Sequence, residues 1–151
     1  MKIEQAIKQS VFTSEDQKLT LYFMYTFNVF KEDQKAFFKP YEITLQQFNV
    51  LRILRGNHPK PYTTSQVRER MLDKMSDASR IVERLVKKGL VKRSTTKADK
   101  RLVDVVISKK GLLLLKTIDK PLEDQMQKTF EDFTQAEKST FIKLLNKMRK
   151  S

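Results

Sequence analysis

The chain has no cysteine, one histidine, three glycines and four prolines among its 151 residues. Without cysteine there is no disulfide, no thiolate nucleophile and no thiol-based redox sensing, and the absence fits a reducing compartment. His58 alone, with neither a second histidine nor a cysteine, cannot complete a zinc site, so no metal or catalytic role is expected of it. Three glycines are too few for a glycine-rich phosphate cradle, and no nucleophile is arranged with a base. These gaps argue against an enzyme and against any cofactor. Long apolar runs are missing as well. The most apolar stretch, Leu19 to Phe30, is interrupted and falls short of the roughly 20 apolar residues that a bilayer requires. The first ten residues, MKIEQAIKQS, alternate charge with isolated apolar positions and lack the apolar core of a secretion signal. A cytoplasmic protein is expected.

What the chain has in excess is positive charge: 31 Lys and Arg against 18 Asp and Glu, a formal net charge of +13. The excess is uneven. Residues 60–101 hold thirteen Lys/Arg against five Asp/Glu, so a surplus of eight falls in under a third of the chain. A protein basic overall and most basic around one segment is expected to meet a polyanion. The length suits one domain with a real apolar core.

Read in order, the chain starts with a short amphipathic stretch that places Ile3, Ala6 and Ile7 on one face. Ser14 is a cap before Glu15 and Asp16, and a helix without Gly or Pro is predicted from there to Phe38, with Pro40 ending it. Its middle, LTLYFMYTFNVF, is apolar on every side, which demands burial from more than one direction and points to a partner subunit. Thr44 and Gln47 form a capping box that opens a helix with Leu45, Phe48, Leu51 and Leu54 on one face, closed at Gly56. Thr63 and Gln66 open a short helix burying Val67 and Met71, and Asp73 and Lys74 make a tight turn. Ser76 is read as the cap of the next helix, which buries Ala78, Ile81, Val82 and Leu85 and stops at Gly89. Leu90–Thr95 and the alternation of Val103, Val105 and Ile107 predict two strands around a basic tip, 96–100. Ser108 caps a long helix whose leucines at 112–115 and Ile118 pack, and which Pro121 is expected to kink or break near Asp119. Thr134 and Glu137 open a last amphipathic helix with Phe141, Leu144, Leu145 and Met148 on one face.

Helix, turn, helix, strand, basic tip, strand over Thr63–Ser108 is the order of a winged helix-turn-helix. The fold class expected is mainly α with a small β-hairpin wing. The region 44–108 is the winged helix-turn-helix, and the flanking helices at 1–40 and 109–151 serve dimerisation. A major groove admits one α-helix, read by residues near its N-terminus. Candidate DNA-binding residues on the two helices are therefore Thr64, Ser65, Ser76, Asp77, Ser79, Arg80 and Arg84. On the hairpin they are Arg93, Lys97, Asp99, Lys100 and Arg101. Arg101 follows Asp99 by two residues, so on an extended strand both project to the same side. The carboxylate can then hold the guanidinium in a pose suited to a narrow minor groove, or the pair can simply stabilise the hairpin.

The segments QQFNVLRIL, TTSQVRERM, SRIVERLVKKGLVKR and ADKRLVDVVISKKG, in that order, resemble the MarR family of bacterial transcriptional regulators. The likeness is strongest from Thr44 to Leu115, and its most specific parts are Asp-x-Arg at Asp99 and Arg101 and Ser-x-x-Gly at Ser108 and Gly111. The resemblance implies a homodimer with interleaved terminal helices. It further implies two winged helices on a palindromic operator, usually in repression, and release by a small phenolic or lipophilic effector. Redox-sensing and zinc-sensing members use Cys or His ligands that this chain lacks. Tyr22, Tyr25 and Phe48 are candidates for an effector pocket, and the same aromatics serve equally as core. The alternative to DNA recognition is a winged helix that binds a protein partner and leaves no footprint on duplex DNA.

Overall fold

The computed structural model describes residues 1–95 and 102–149. Helix α1 (Ile3–Ala6) precedes the long α2 (Glu15–Phe38), and one 3₁₀ turn, Lys39–Tyr41, leads into α3 (Leu45–Asn57). Strand β1 (Tyr62–Thr63), α4 (Thr64–Arg70), α5 (Ala78–Lys87), β2 (Val91–Thr95) and β3 (Val103–Ile107) follow, and then α6 (Lys109–Thr129) and α7 (Gln135–Met148). The expected class, mainly helical with a small wing, is what the chain adopts.

The caps are where the side chains put them. Ser14 accepts from the Gln17 amide, and the Thr44–Gln47, Thr63–Gln66 and Thr134–Glu137 pairs all close as reciprocal capping boxes. The helix after the turn is the exception: its cap is Asp77, whose carboxylate accepts from the Arg80 amide, rather than Ser76. The Ser76 amide is spent on the Asp73 carbonyl, so Ser76 completes the turn and the helix begins one residue later. Gly56 does not close α3. The helix continues to Asn57 and ends at His58, whose ψ of 136° is the extended conformation that a following proline favours. Gly89 does stop α5, with φ of 71°, and the amides of Gly89 and Leu90 return to the carbonyls of Val86 and Leu85.

Strand β3 is the centre of a three-stranded antiparallel sheet, with β2 on one side and the two-residue β1 on the other. The sequence predicts only β2 and β3. Two residues carry no alternation to read, and β1 exists because Tyr62 and Thr63 pair with Val105 and Asp104. Pro121 does not break α6, which runs unbroken from Lys109 to Thr129. Buried Leu115 and Ile118 before the proline and half-buried Leu122 after it hold both halves to the core, and Arg55 grips Asp119 with two 2.9 Å hydrogen bonds. Leu113, expected to pack with its neighbours, instead faces outward.

The core joins α3, α4, α5, the sheet and the first half of α6. Leu51, Leu54, Val67, Met71, Leu85, Val105, Leu115 and Ile118 are almost completely buried. Helix α2 joins it only at its C-terminal end, burying Gln34 and Phe38 in 24 residues, and α7 buries none. Gln34 of α2 donates to Gln125 of α6 at 3.3 Å. Among the described residues no helix is long and apolar enough to cross a membrane.

Candidate nucleic-acid interface

Helix α5 packs by one stripe and leaves the opposite one bare. Ala78, Val82 and Leu85 are buried, whereas Asp77, Ser79, Arg80, Glu83, Arg84 and Lys87 are exposed. The 3.6-residue repeat sends neighbouring side chains about 100° apart, and the N-terminal end of α5 is accordingly a ridge between two troughs. One trough, of about 460 Å³, is lined by Thr64, Ser65 and Arg68 of α4 together with Met75, Ser76, Asp77 and Ser79. The other, of about 280 Å³, is lined by Thr44, Gln46 and Gln47 of α3 with Arg80 and Arg84. The proposed readers on α4 and α5 therefore fall into two sets, with Ser76 and Asp77 at the crest they share.

The ridge is held from beneath. Asn49 on α3 is buried, and its Oδ1 accepts from the Leu72 amide at 2.9 Å, tying the turn before α5 to the core. Asp73 closes that turn by accepting from the Met75 amide at 2.9 Å through its carboxylate. At the far end, the Lys88 ammonium donates to the Glu42 carbonyl, and Lys110 donates to the Lys88 carbonyl at 2.9 Å. Lys87 pairs with Glu83 at 3.6 Å, but among the described residues no carboxylate comes within ion-pair distance of Arg80 or Arg84. Two guanidiniums one turn apart, unneutralised on an exposed face, are suited to phosphates or to the O6/N7 edge of guanine.

The ribbon beside this ridge places Arg93, exposed, opposite Val105. Asp77 has a double position, since one of its oxygens is already engaged as the cap. Arg68 and Met75 went unnoticed in the sequence. Arg68 follows Thr64 by one helical turn, a spacing that places both on one face and that could have found it. For Met75 no sequence signal exists, because a turn methionine is indistinguishable from a core one until its exposure is known.

A family model described as the MarR family matches residues 41–102, the stretch from the loop before α3 to the start of β3. The uncharacterised HTH-type transcriptional regulator YpoP of Bacillus subtilis is 28% identical over 109 residues, 72% of this chain and 76% of that protein. The crystal structure of a MarR transcription factor from Planctomyces limnophilus is similar over 90% of this chain and 98% of its own, at 29% identity and a TM-score of 0.70. Along residues 41–102 the chain is similar to the MarR family. A serine-for-cysteine mutant of Escherichia coli MarR, complexed with operator DNA, is similar over 93% of this chain and 100% of its own, at 25% identity and a TM-score of 0.76. The relatives named here are described as transcription regulators or transcription factors.

Not every expected site residue lies in the ridge. Lys97, Asp99, Lys100 and Arg101 fall outside the described residues. The three aromatics suggested for an effector pocket do not gather around one cavity. Phe48 is buried in the core, 4.7 Å from the ring of Phe38. Tyr22 is engaged at the other end of the molecule, its ring 5.4 Å from the Lys18 ammonium, and Tyr25 is half-buried one turn further along α2. The larger cavities lie elsewhere. One of about 690 Å³ lies between Tyr41, Ile43, Leu90, Leu113 and Leu114, with Lys87, Lys88 and Lys110 at its edge.

Proposed function

We propose that this chain is a MarR-family transcription regulator that acts in the cytoplasm as a homodimer, binds a palindromic operator and represses transcription from it. The observation that carries the DNA reading is the bare α5 ridge, whose Arg80 and Arg84 line one of its two troughs with no carboxylate at ion-pair distance among the described residues. It lies in a segment, 60–95, with ten Lys/Arg against four Asp/Glu. A helix of this kind enters a major groove while phosphate contacts on either side fix its register. The relative bound to operator DNA supports the same assignment. Dimerisation rests on α2 and α7, whose exposed Met24, Phe27 and Phe30, and Ile142 and Leu144, have no cover within one chain. Two copies convert groove fitting into a spacing rule, with half-sites about 10 bp apart or a multiple of it.

Asp99 and Arg101 belong to this proposal as the minor-groove probe, and Arg101→Ala is expected to weaken cognate binding by about 1–3 kcal/mol. A small lipophilic or phenolic effector would be placed in the cavity of about 690 Å³, whose walls come from the loop before α3, the end of α5 and α6. Selection of bound duplexes from a random pool tests the reading. An enriched inverted repeat is the expected result, and a pool from which no duplex is retained overturns it.

A further inference from the structure

Between residues 44 and 95 only two large apolar side chains are strongly exposed: Leu72 at 77% and Met75 at 92%. Every other exposed large apolar residue described lies at the termini, on α2, beside β3, or on α6, α7 and the loop between them. Both belong to the turn between α4 and α5, and Met75 lines the trough of about 460 Å³ alongside Thr64, Ser65, Arg68 and Ser79. Its backbone is fixed, with its amide on the Asp73 carboxylate at 2.9 Å and the next amide on the Asp73 carbonyl at 3.3 Å. A rigid Cα thus carries a long, unbranched, polarisable side chain into a trough whose other walls are hydroxyls, the Arg68 guanidinium, the Asp77 carboxylate and the small Ala78.

We propose that Met75 reads the 5-methyl group of a thymine in each operator half-site. The inference rests on the DNA-binding reading above and adds to it a specificity-determining residue. The major-groove edges of the bases present donors and acceptors and a single apolar feature, the thymine methyl. The polar side chains around the trough match the former, and Met75 is the one large apolar side chain there, beside the small and buried Ala78, that reaches out to match the latter. Methionine suits the task because three rotatable bonds let its thioether follow a small apolar target. Continuity with the recognition ridge sets the occupant as DNA: the trough that Met75 lines is bounded by the N-terminal ends of α4 and α5.

Replacing thymine by deoxyuridine removes the methyl group and leaves every hydrogen bond in place. The test measures affinity by fluorescence anisotropy for the full-length protein and for Met75→Ala. The duplex is the one selected from the random pool, with each thymine replaced in turn and symmetrically. One thymine per half-site is expected at which deoxyuridine weakens the wild type by about fourfold per half-site, the scale of burying one methyl-sized group. Met75→Ala should weaken binding to the unmodified duplex by a similar factor, and the two changes together should cost no more than either alone. A variant penalty that is the same on every deoxyuridine duplex as on the parent overturns the assignment, as does a variant that binds like the wild type. Because Met75 is 92% exposed, the variant should melt with the wild type. A lower melting temperature would show a structural role and also count against the proposal. If the wild type itself retains no duplex, the DNA-binding reading falls, and the Met75 assignment falls with it.

Discussion

Gly111 has no room for a side chain. A Cβ there would lie 2.4 Å from the Leu90 carbonyl oxygen and 2.7 Å from Cγ1 of Ile107, and the first of these is backbone that cannot swing aside. The closeness comes from the cap. Ser108 accepts from the Gly111 amide at 3.1 Å and donates to the Gly89 carbonyl at 2.7 Å, drawing the start of α6 onto the end of α5. This gives the Ser-x-x-Gly motif its physical content. Gly111→Ala is expected to destabilise the fold by about 1–3 kcal/mol, the usual cost of overpacking. At Gly89 a Cβ would meet only the Lys110 side chain, at an ordinary 3.8 Å, but φ is 71°, so Gly89→Ala should cost about 1–2 kcal/mol through backbone strain. Gly56 is inside α3 with nothing within 4 Å, and Gly56→Ala should stabilise by about 0.4–1 kcal/mol. Chemical denaturation of the three variants should rank them Gly56→Ala, wild type, Gly89→Ala, Gly111→Ala from most to least stable. Any stabilisation by Gly111→Ala would contradict the contact geometry.

A small polar cluster links helix α1 to α2 beside the half-buried Ile3, Ala6 and Ile7. The Glu4 carboxylate is pulled down to about 2, first by a hydrogen bond from the Tyr22 hydroxyl, then by its own backbone amide and by Lys18, 3.2 Å away. A carboxyl depressed in the folded state contributes docking that is complete above its ordinary value of 4.5 and is lost as pH falls towards 2. Following the Glu4 carboxyl resonance by NMR should show this low titration, and Tyr22→Phe should move it up towards 4.5. An unshifted titration in the wild type would remove the cluster as a tether of α1. At the level of elements, much of the fold could be read from caps. Thr44–Gln47, Thr63–Gln66 and Thr134–Glu137 each mark a helix start by side-chain chemistry that acts within four residues. The reading failed where the decisive partner is distant in sequence. Tyr62 and Thr63 become a strand only because β3 is there to pair, and α6 survives Pro121 because Leu115, Ile118 and Leu122 are gripped by the core on both sides of it. At the site, the helical repeat was enough to turn Arg80 and Arg84 outward. It could not show that Asp77 is the cap or that Met75 is bare.

Across the whole molecule, charge and apolar surface are segregated, and the segregation yields two linked expectations. Phe27 on α2 and Ile142 on α7 are 53% and 60% exposed in one chain, so glutamate at either position costs the isolated subunit little. Light scattering of the wild type at micromolar concentration should give twice the 17.8 kDa of one chain. Phe27→Glu and Ile142→Glu should lower that mass towards one chain with helicity retained, whereas a monomeric wild type would remove the dimer. Dimerisation then fixes how salt acts on DNA binding. Each phosphate neutralised releases counterions, and the logarithm of affinity falls by roughly 0.9 per log unit of salt for each one. A side chain that touches phosphate is present twice in a dimer, so Arg93→Ala should flatten the slope by about two units and weaken every duplex alike. Arg80→Ala, at the base-reading end of α5, should instead change which base pair is preferred at one position of each half-site. If Arg93→Ala flattens the slope by only about one unit, a single winged helix is engaged, and the palindrome is being read by one subunit at a time.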